Sequence, residues 1–331
     1  MELYLPLFFM AAMGLSMLIY VVLDGYDLGV GMLLPFATDE EKDQMVASIG
    51  PFWDANETWL VLGVGILLIA FPQAHGIVLT ALYLPVTIML MGLILRGVAF
   101  DFRVKAGADH KPLWNRLFFI GSLVTAMAQG WMLGSYITGL SLSMTNLLFS
   151  VLIALTLPAL YIMLGSAWLN IKTDGVLQEK ARRWLCMTVL PMGVGLILVS
   201  IATPIASPTI SAKWFSLPNF LFLSPIPLIS GIAYVMLMTM CMNPSAREKL
   251  PDWAAFACLV VICTMATLGL GYSIFPEIVI GQLNIWDAAA ETGSLIVIFI
   301  GALLTLPAII IYSIFIYRIF GGKSKGLSYG E

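Results

Sequence analysis

The chain has 331 residues, 60% of them hydrophobic and only 11% charged, against about 25% charged in an ordinary soluble domain. That balance excludes water as the main solvent, and apolar runs of spanning length recur so regularly that no soluble domain is left over. A net charge of −3 on so few ionisable groups gives no support to nucleic-acid binding.

A bilayer core of about 30 Å takes roughly 20 helical residues. The first apolar run, 5–34, lacks a basic n-region and a small-residue cleavage site and is too long for a signal-peptide core, so it reads as a retained helix. Thr38-Asp39-Glu40-Glu41 then has capping-box spacing, which predicts a short interfacial helix over 39–49 with Met45, Val46 and Ile49 towards lipid. Further spans are predicted at 54–72, 76–100, 116–138, 145–170, 184–204, 218–241, 253–275 and 287–318. Pro35, Pro51, Pro72, Pro112, Pro204, Pro218, Pro244, Pro251 and Pro276 mark their ends, while Pro85, Pro158, Pro191, Pro225, Pro227 and Pro307 fall inside them. The expected fold is all-α: a polytopic membrane bundle of about nine transmembrane helices, with residues 1–331 as a single integral membrane domain.

Charge segregation orients the bundle, because Lys and Arg collect in cytoplasmic loops. With the N-terminus outside, the inward regions hold Lys42; Arg96, Arg103, Lys105, Lys111 and Arg116; Lys172, Lys180, Arg182 and Arg183; Arg247 and Lys249; and Arg318, Lys323 and Lys325. Only Lys213 is left outside, so odd parity and a cytoplasmic C-terminus follow.

Ionisable residues near apolar spans are costly and therefore informative. Tyr20, Asp24, Asp27 and Gly31 share one helical stripe of the first span. The second span opens with Trp53, Asp54, Asn56, Glu57 and Trp59, and the third closes with Arg96, Asp101 and Arg103. The topology brings these groups to the inner leaflet, where neighbouring helices would make a cluster of acids with one or two arginines. Plainer readings compete: Asp54 and Glu57 have the spacing of an acidic capping box, Arg96 and Asp101 could be an interfacial anchor and its ion partner, and Gly25, Gly29 and Gly31 form a small-residue packing surface. Glu277, Asp287 and Glu291 read as members of a solvated outer loop.

His75, assigned to a short outer loop, and His110, in a cytoplasmic loop, are the only two histidines. Neither is placed as a buried haem ligand. The four cysteines, Cys186, Cys241, Cys258 and Cys263, show no C-x-x-C spacing and read as small buried hydrophobes. No Walker A loop, dinucleotide fingerprint or H-E-x-x-H zinc motif occurs, so no metal site is expected and a self-sufficient redox enzyme is disfavoured.

Taken together, VVLDGYDLGVGMLLPF at 21–36, IGPFWDANETWLV at 49–61 and LRGVAFDFR at 95–103 closely resemble subunit II of cytochrome bd-type quinol oxidases, including the cyanide-insensitive branch. The resemblance covers essentially the whole chain. It implies two four-helix bundles plus one peripheral helix, pairing with a haem-bearing subunit I in a bacterial inner membrane. Haem b, haem d and the quinol-oxidising loop would lie in that partner; this chain would have no catalytic residue of its own, but would stabilise the complex and line a proton path from the cytoplasm for reducing oxygen to water. By motif match, Asp54, Trp59 and Asp101 correspond to positions on that path, with Arg96, Asp27, Asp24 and Glu57 as further candidates. Trp53 matches an aromatic position near a structural quinone in some members, and many relatives carry an amide where this chain has Glu57. Membrane lipids, quinol and a small accessory subunit complete the implied partners. The competing reading, a cation-coupled secondary transporter, would use intramembrane acids and broken helices. Here the acids gather near one face and have no inverted counterpart in the second half. A membrane scaffold without a proton role is the third reading.

The charge segregation makes a direct prediction. A reporter fused after Glu331 should be active only in the cytoplasm and one inserted near Lys213 only outside, and the opposite pattern would break the parity.

Overall fold

The computed structural model describes residues 3–107, 109–243, 245 and 249–324. Pro244, Arg247, Lys325 and the two chain ends, invoked above as breaker, basic loop residues and orientation markers, lie outside the described residues. In chain order the elements are α1 (Tyr4–Leu33), a 3-10 turn (Leu34–Phe36), α2 (Asp39–Ile49), α3 (Trp53–Ala70), α4 (Pro72–Lys105), α5 (Lys111–Ile137), α6 (Met144–Lys172) and α7 (Gly175–Ala206). They continue with α8 (Pro208–Trp214), α9 (Asn219–Leu223), α10 (Pro225–Met242), α11 (Ala254–Ile274), β1 (Glu277–Val279), β2 (Leu283–Asn284) and α12 (Thr292–Ile319). Nine helical segments among the described residues are long and apolar enough to cross a membrane. The molecule is a multi-pass membrane protein.

Neighbour packing closes two rings. Spans α1, α3, α4 and α5 form one four-helix ring, and α6, α7, α10 and α11 form the other. The rings meet along α1, α5 and α6, while α12 leans on α1 and α3 and is the least buried span. This is the arrangement implied by the resemblance. Glycine sets how closely the rings approach. A Cβ on Gly165 of α6 would lie 2.5 Å from the Gly29 carbonyl carbon of α1, and a Cβ on Gly25 would lie 2.8 Å from the Tyr161 ring. The Gly25/Gly29/Gly31 stripe is therefore a packing surface.

The described prolines act as expected, with one revision. Pro204 lies near the C-terminal end of α7, two residues before Ala206. Pro225 and Pro227 fall in the first turn of α10, so the span predicted over 218–241 is two helices, α9 and α10, joined at Ser224. Inside α4, Leu82 leaves helical geometry three residues before Pro85, which lacks an N–H and crowds the preceding turn. The last span begins at Thr292 and not at 287, because a two-stranded antiparallel hairpin and its exit turn occupy 277–291. Glu277 accepts a 2.7 Å bond from the Gly281 amide, and Asp287 accepts one from Asn284. These acids are hairpin structure.

Three other expectations need correction. The capping box of α2 is formed, but Met45, Val46 and Ile49 are buried in the protein core and do not face lipid. Met45, Val46 and Ile49 pack into one apolar cluster with Trp168, Phe52 and the end of α1. His75 is in the first turn of α4, not in a loop. Cys258 and Cys263 are buried and free as anticipated, whereas Cys186 and Cys241 form a disulfide between α7 and α10. Sequence spacing could not disclose that pair, since helix packing brings them together.

At the face where Lys and Arg collect, hereafter the basic face, charges are paired across elements. Lys180 reaches Glu41 at 2.7 Å; Arg103 and Lys111 reach Asp43 at 2.9 and 3.2 Å. A clasp closes the second ring: Asp252 takes Arg182 at 3.1 Å and Lys323 at 2.9 Å, and Arg182 Nε also donates to Asn170. Buried Lys172 donates to the Phe320 carbonyl and lies over the Phe52 and Trp168 rings, tying the end of α6 to the end of α12. Partial burial opposes ionisation of Asp252, but the hydrogen bonds and charges of Lys323 and Arg182 outweigh it and hold its carboxyl below the usual range.

A carboxyl depressed on folding contributes stability that is present above its unfolded pKa and lost as pH falls through the folded one. Asp252→Asn is therefore expected to lower the thermal stability of the complex at pH 7. Because 38% of the side chain is exposed, the loss should stay below about 1 kcal/mol. It should shrink as the pH is taken down towards about 3, below the ordinary Asp value. A gap of constant size across that range would contradict the pairing.

Candidate functional site

Where α1 passes between the rings, its polar stripe turns inward as the spacing predicts. Tyr20, Asp24 and Asp27 are all buried, both aspartates completely. Each reaches a different helix. Asp24 takes Arg96 Nη1 of α4 at 2.5 Å, and the other nitrogen, Nη2, takes Glu57 of α3 at 2.6 Å. Arg96 is 1% exposed, so one buried guanidinium bridges two carboxylates, that of Asp24 fully buried and that of Glu57 partly exposed. Gly121 on α5 makes this possible. A Cβ there would lie 2.9 Å from the Arg96 backbone nitrogen, so α4 can seat its arginine deep in the ring only against a glycine.

Asp27 makes no ion pair among the described residues. Its Oδ2 accepts a 2.8 Å bond from Asn56 Nδ2 of α3, which also lies 2.8 Å from Tyr26 Oη. Tyr26 and Tyr317 of α12 share a hydrogen bond of 2.6 Å, and Tyr317 Oη donates to Asn56 Oδ1 at 3.1 Å. Stacking of Tyr26 on Trp168 of α6, with ring centroids 4.1 Å apart, holds this group against the second ring. A second branch starts at Tyr20, whose hydroxyl accepts from Gln129 of α5 at 2.7 Å, and Tyr161 of α6 donates to Gln129 Oε1 at 2.6 Å. The network thus draws on α1, α3, α4, α5, α6 and α12. Asp24 Oδ2 and Asp27 Oδ1 stay without a protein partner inside it.

The other candidates separate from this cluster. Asp54 and Asp101 are both exposed, and neither carboxylate makes an ion pair or hydrogen bond among the described residues. Asp54 is no cap: Phe52 is the N-cap of α3 without a side-chain bond, and Glu57 is committed to Arg96. The anchor reading of Arg96 with Asp101 also fails, since Arg96 turns inward to Asp24 and Glu57. Trp59 is buried with an unpartnered indole nitrogen. Trp53 is half-buried, with its ring 5.1 Å from Phe100 and its edge over Gly97. Sequence reasoning missed Tyr26, Gln129, Tyr161 and Tyr317. Gln129 alone carried a usable signal, as an amide within an apolar span; the tyrosines look like ordinary membrane aromatics.

For a haem, the histidines are the wrong donor set. His75 opens α4 and exposed His110 precedes α5, so the two stand at opposite ends of α4 and cannot form a pair across one group. Among the described residues no cluster of three or more His, Cys, Asp or Glu could hold a metal ion.

A family model described as cytochrome bd terminal oxidase subunit II matches residues 5–320. The chain belongs to that family. Among its relatives is cytochrome bd ubiquinol oxidase subunit 2 of Bacillus subtilis (strain 168), 29% identical over 322 residues and 91% of each chain. Cytochrome bd-I ubiquinol oxidase subunit 2 of Escherichia coli (strain K12) is 25% identical over 358 residues, covering 94% of this chain and 93% of the other. The bd oxidase structure from Geobacillus thermodenitrificans shares the fold, with a TM-score of 0.74, 19% identity and coverage of 96% of this chain and 98% of that one. Nothing in these relationships supports a transporter, and the buried acids can be read as parts of a subunit II.

Removing one partner of a buried ion pair strands the other charge, at about 3–5 kcal/mol. Asp24→Ala should therefore lose about that much stability, or fail to assemble. Glu57→Ala, whose side chain is 30% exposed, should lose clearly less. Thermal unfolding of the purified complexes measures both, and equal losses would contradict the burial-based ranking.

Proposed function

We propose that this chain is the non-haem subunit II of a quinol:oxygen oxidoreductase in a bacterial inner membrane, with its N-terminus outside and its basic face towards the cytoplasm. It pairs with a haem-bearing subunit I, where haem b, haem d and quinol oxidation reside, and it supports proton uptake for oxygen reduction. The observation that supports the proton role is the imbalance of the cluster: three acids, Asp24, Asp27 and Glu57, gather around one guanidinium that pairs with Asp24 and Glu57, and among the described residues the Asp27 carboxylate is bonded only to the Asn56 amide.

In this reading Asp54 and Asp101, exposed near the basic ends of α3 and α4, collect protons. Glu57, partly exposed and bonded to Arg96, joins the surface to the interior. Asp27 exchanges a proton with its neighbours, since Asn56, Tyr26 and Tyr317 can donate and accept around it. Arg96 fixes Asp24 and Glu57 and keeps the cluster's charge tolerable. Trp59, buried in α3 with a free indole N–H, adds a further donor along that helix. A structural quinone would have to lie on the face of Trp53 that Phe100 leaves uncovered. A small accessory subunit and lipids have ample apolar surface on which to sit, for example along α10 and α12.

Asn preserves the shape of Asp but cannot ionise. Asp27→Asn, Asp54→Asn and Asp101→Asn complexes with normal haem content and subunit ratio are expected to slow quinol-driven oxygen consumption and proton uptake from the basic face. The largest loss, about 10²-fold, should be at Asp27, the low end for a lost acid–base group. Normal turnover and normal uptake in all three would sink the proton assignment and leave these acids structural.

A further inference from the structure

The disulfide between Cys186 and Cys241 is not used by the reading above. Its Cα atoms are 5.2 Å apart, a separation a bridge spans without moving the backbone. Cys186 lies one turn beyond Arg182 in α7, and Cys241 is the penultimate residue of α10. Both are partly exposed, in contrast to buried Cys258 and Cys263. They open on a small cleft of the basic face lined by Asn170, Arg182, Pro251 and Asp252. Among the described residues, Tyr234 Oη of α10 also donates to the Val189 carbonyl of α7 at 3.1 Å.

Location turns a staple into a question. In an oxidising compartment the bridge would be ordinary, but on a cytoplasmic face thiols are kept reduced, and the disulfides found there are mostly transient or redox-sensing. Arg182 and Asp252, paired with one another, line the cleft on which the cysteines open.

We propose that Cys186 and Cys241 are a redox modification site, a reversible dithiol–disulfide pair served by a thioredoxin-type dithiol protein, which locks and releases α10 against α7. The proposal rests on the cytoplasmic assignment of the basic face. In the reducing direction a thiolate of the dithiol protein attacks one sulfur, forms a mixed disulfide and expels the other cysteine as a thiolate, which takes up a proton. The second thiol of the dithiol protein then attacks the mixed disulfide and releases the remaining cysteine, leaving the reductant as its own disulfide. Two electrons and two protons pass to the pair. Release acts one turn from Arg182, whose bonds to Asn170 and Asp252 hold the ends of α6 and α11.

The test uses the assembled complex in membrane vesicles of both orientations. Thiols are trapped with N-ethylmaleimide after acid quenching, and the Cys186 and Cys241 peptides are read by mass spectrometry. Thioredoxin with its reducing system, added outside inside-out vesicles, is expected to convert both peptides from unlabelled to labelled, and diamide to reverse this. Right-side-out vesicles should show no change. Hydrogen exchange over residues 225–242 should rise on reduction, and a Cys186→Ser, Cys241→Ser complex should show the raised level without treatment. A bridge inert to thioredoxin at both faces, thiols that never oxidise, or reduction without a change in exchange would overturn the proposal. Reduction only in right-side-out vesicles would overturn it by a different route, through the orientation on which it rests.

Discussion

A single buried guanidinium, that of Arg96, sits between carboxylates from two other helices, one of them fully buried and the other partly exposed. Charges in such a place are tolerated only as a set. Removing water from either acid alone would cost several kcal/mol, and the mutual attraction repays this only with short, well-directed hydrogen bonds. Much of the first ring can be understood as meeting that geometry. Gly121 lets α4 come near enough to α5, the α1 stripe delivers Asp24 at the right depth, and the first turns of α3 bring Glu57 from the opposite side.

The same constraint links the two rings. The close approach at Gly29 and Gly165 leaves no room for water between α1 and α6, so the polar side chains there must satisfy one another. Gln129 does this for Tyr20 and Tyr161, and Asn56 for Asp27, Tyr26 and Tyr317. Because Tyr317 comes from the peripheral helix, that span is joined to the interior by hydrogen bonds even though little of its surface is buried. A network of hydroxyls and amides around carboxylates is also suited to passing protons, which is how packing and the proposed function meet in the same residues.

Much of this was legible in the sequence because membrane helices announce themselves. Hydropathy located the spans, and the one-sided stripe of Tyr20, Asp24, Asp27 and Gly31 pointed into the protein, since lipid rewards none of these groups. Partner choice was not legible. Arg96 could have met Asp101 five residues along its own helix, and only the packing of α1 and α3 against α4 shows that it meets Asp24 and Glu57 instead. Asp54 and Asp101 were site candidates beside Asp24 by motif and by topology, yet they lie on the surface while Asp24 is buried. The α2 face was misdirected for a similar reason: an amphipathic helix shows which side is apolar and not whether lipid or protein covers it. The Cys186–Cys241 pair, separated by 55 residues, depends wholly on tertiary packing.

If Arg96 and the acids act as one unit, their substitutions must not add. The direct test is a double-mutant cycle of Asp24→Asn and Arg96→Gln in the assembled complex, read by thermal unfolding. The account predicts that the double variant is clearly more stable than the sum of the single losses implies, with a coupling of about 1–3 kcal/mol. Additive losses would show that Asp24 and Arg96 are stabilised independently, and would contradict a shared buried charge as the organising contact of the fold.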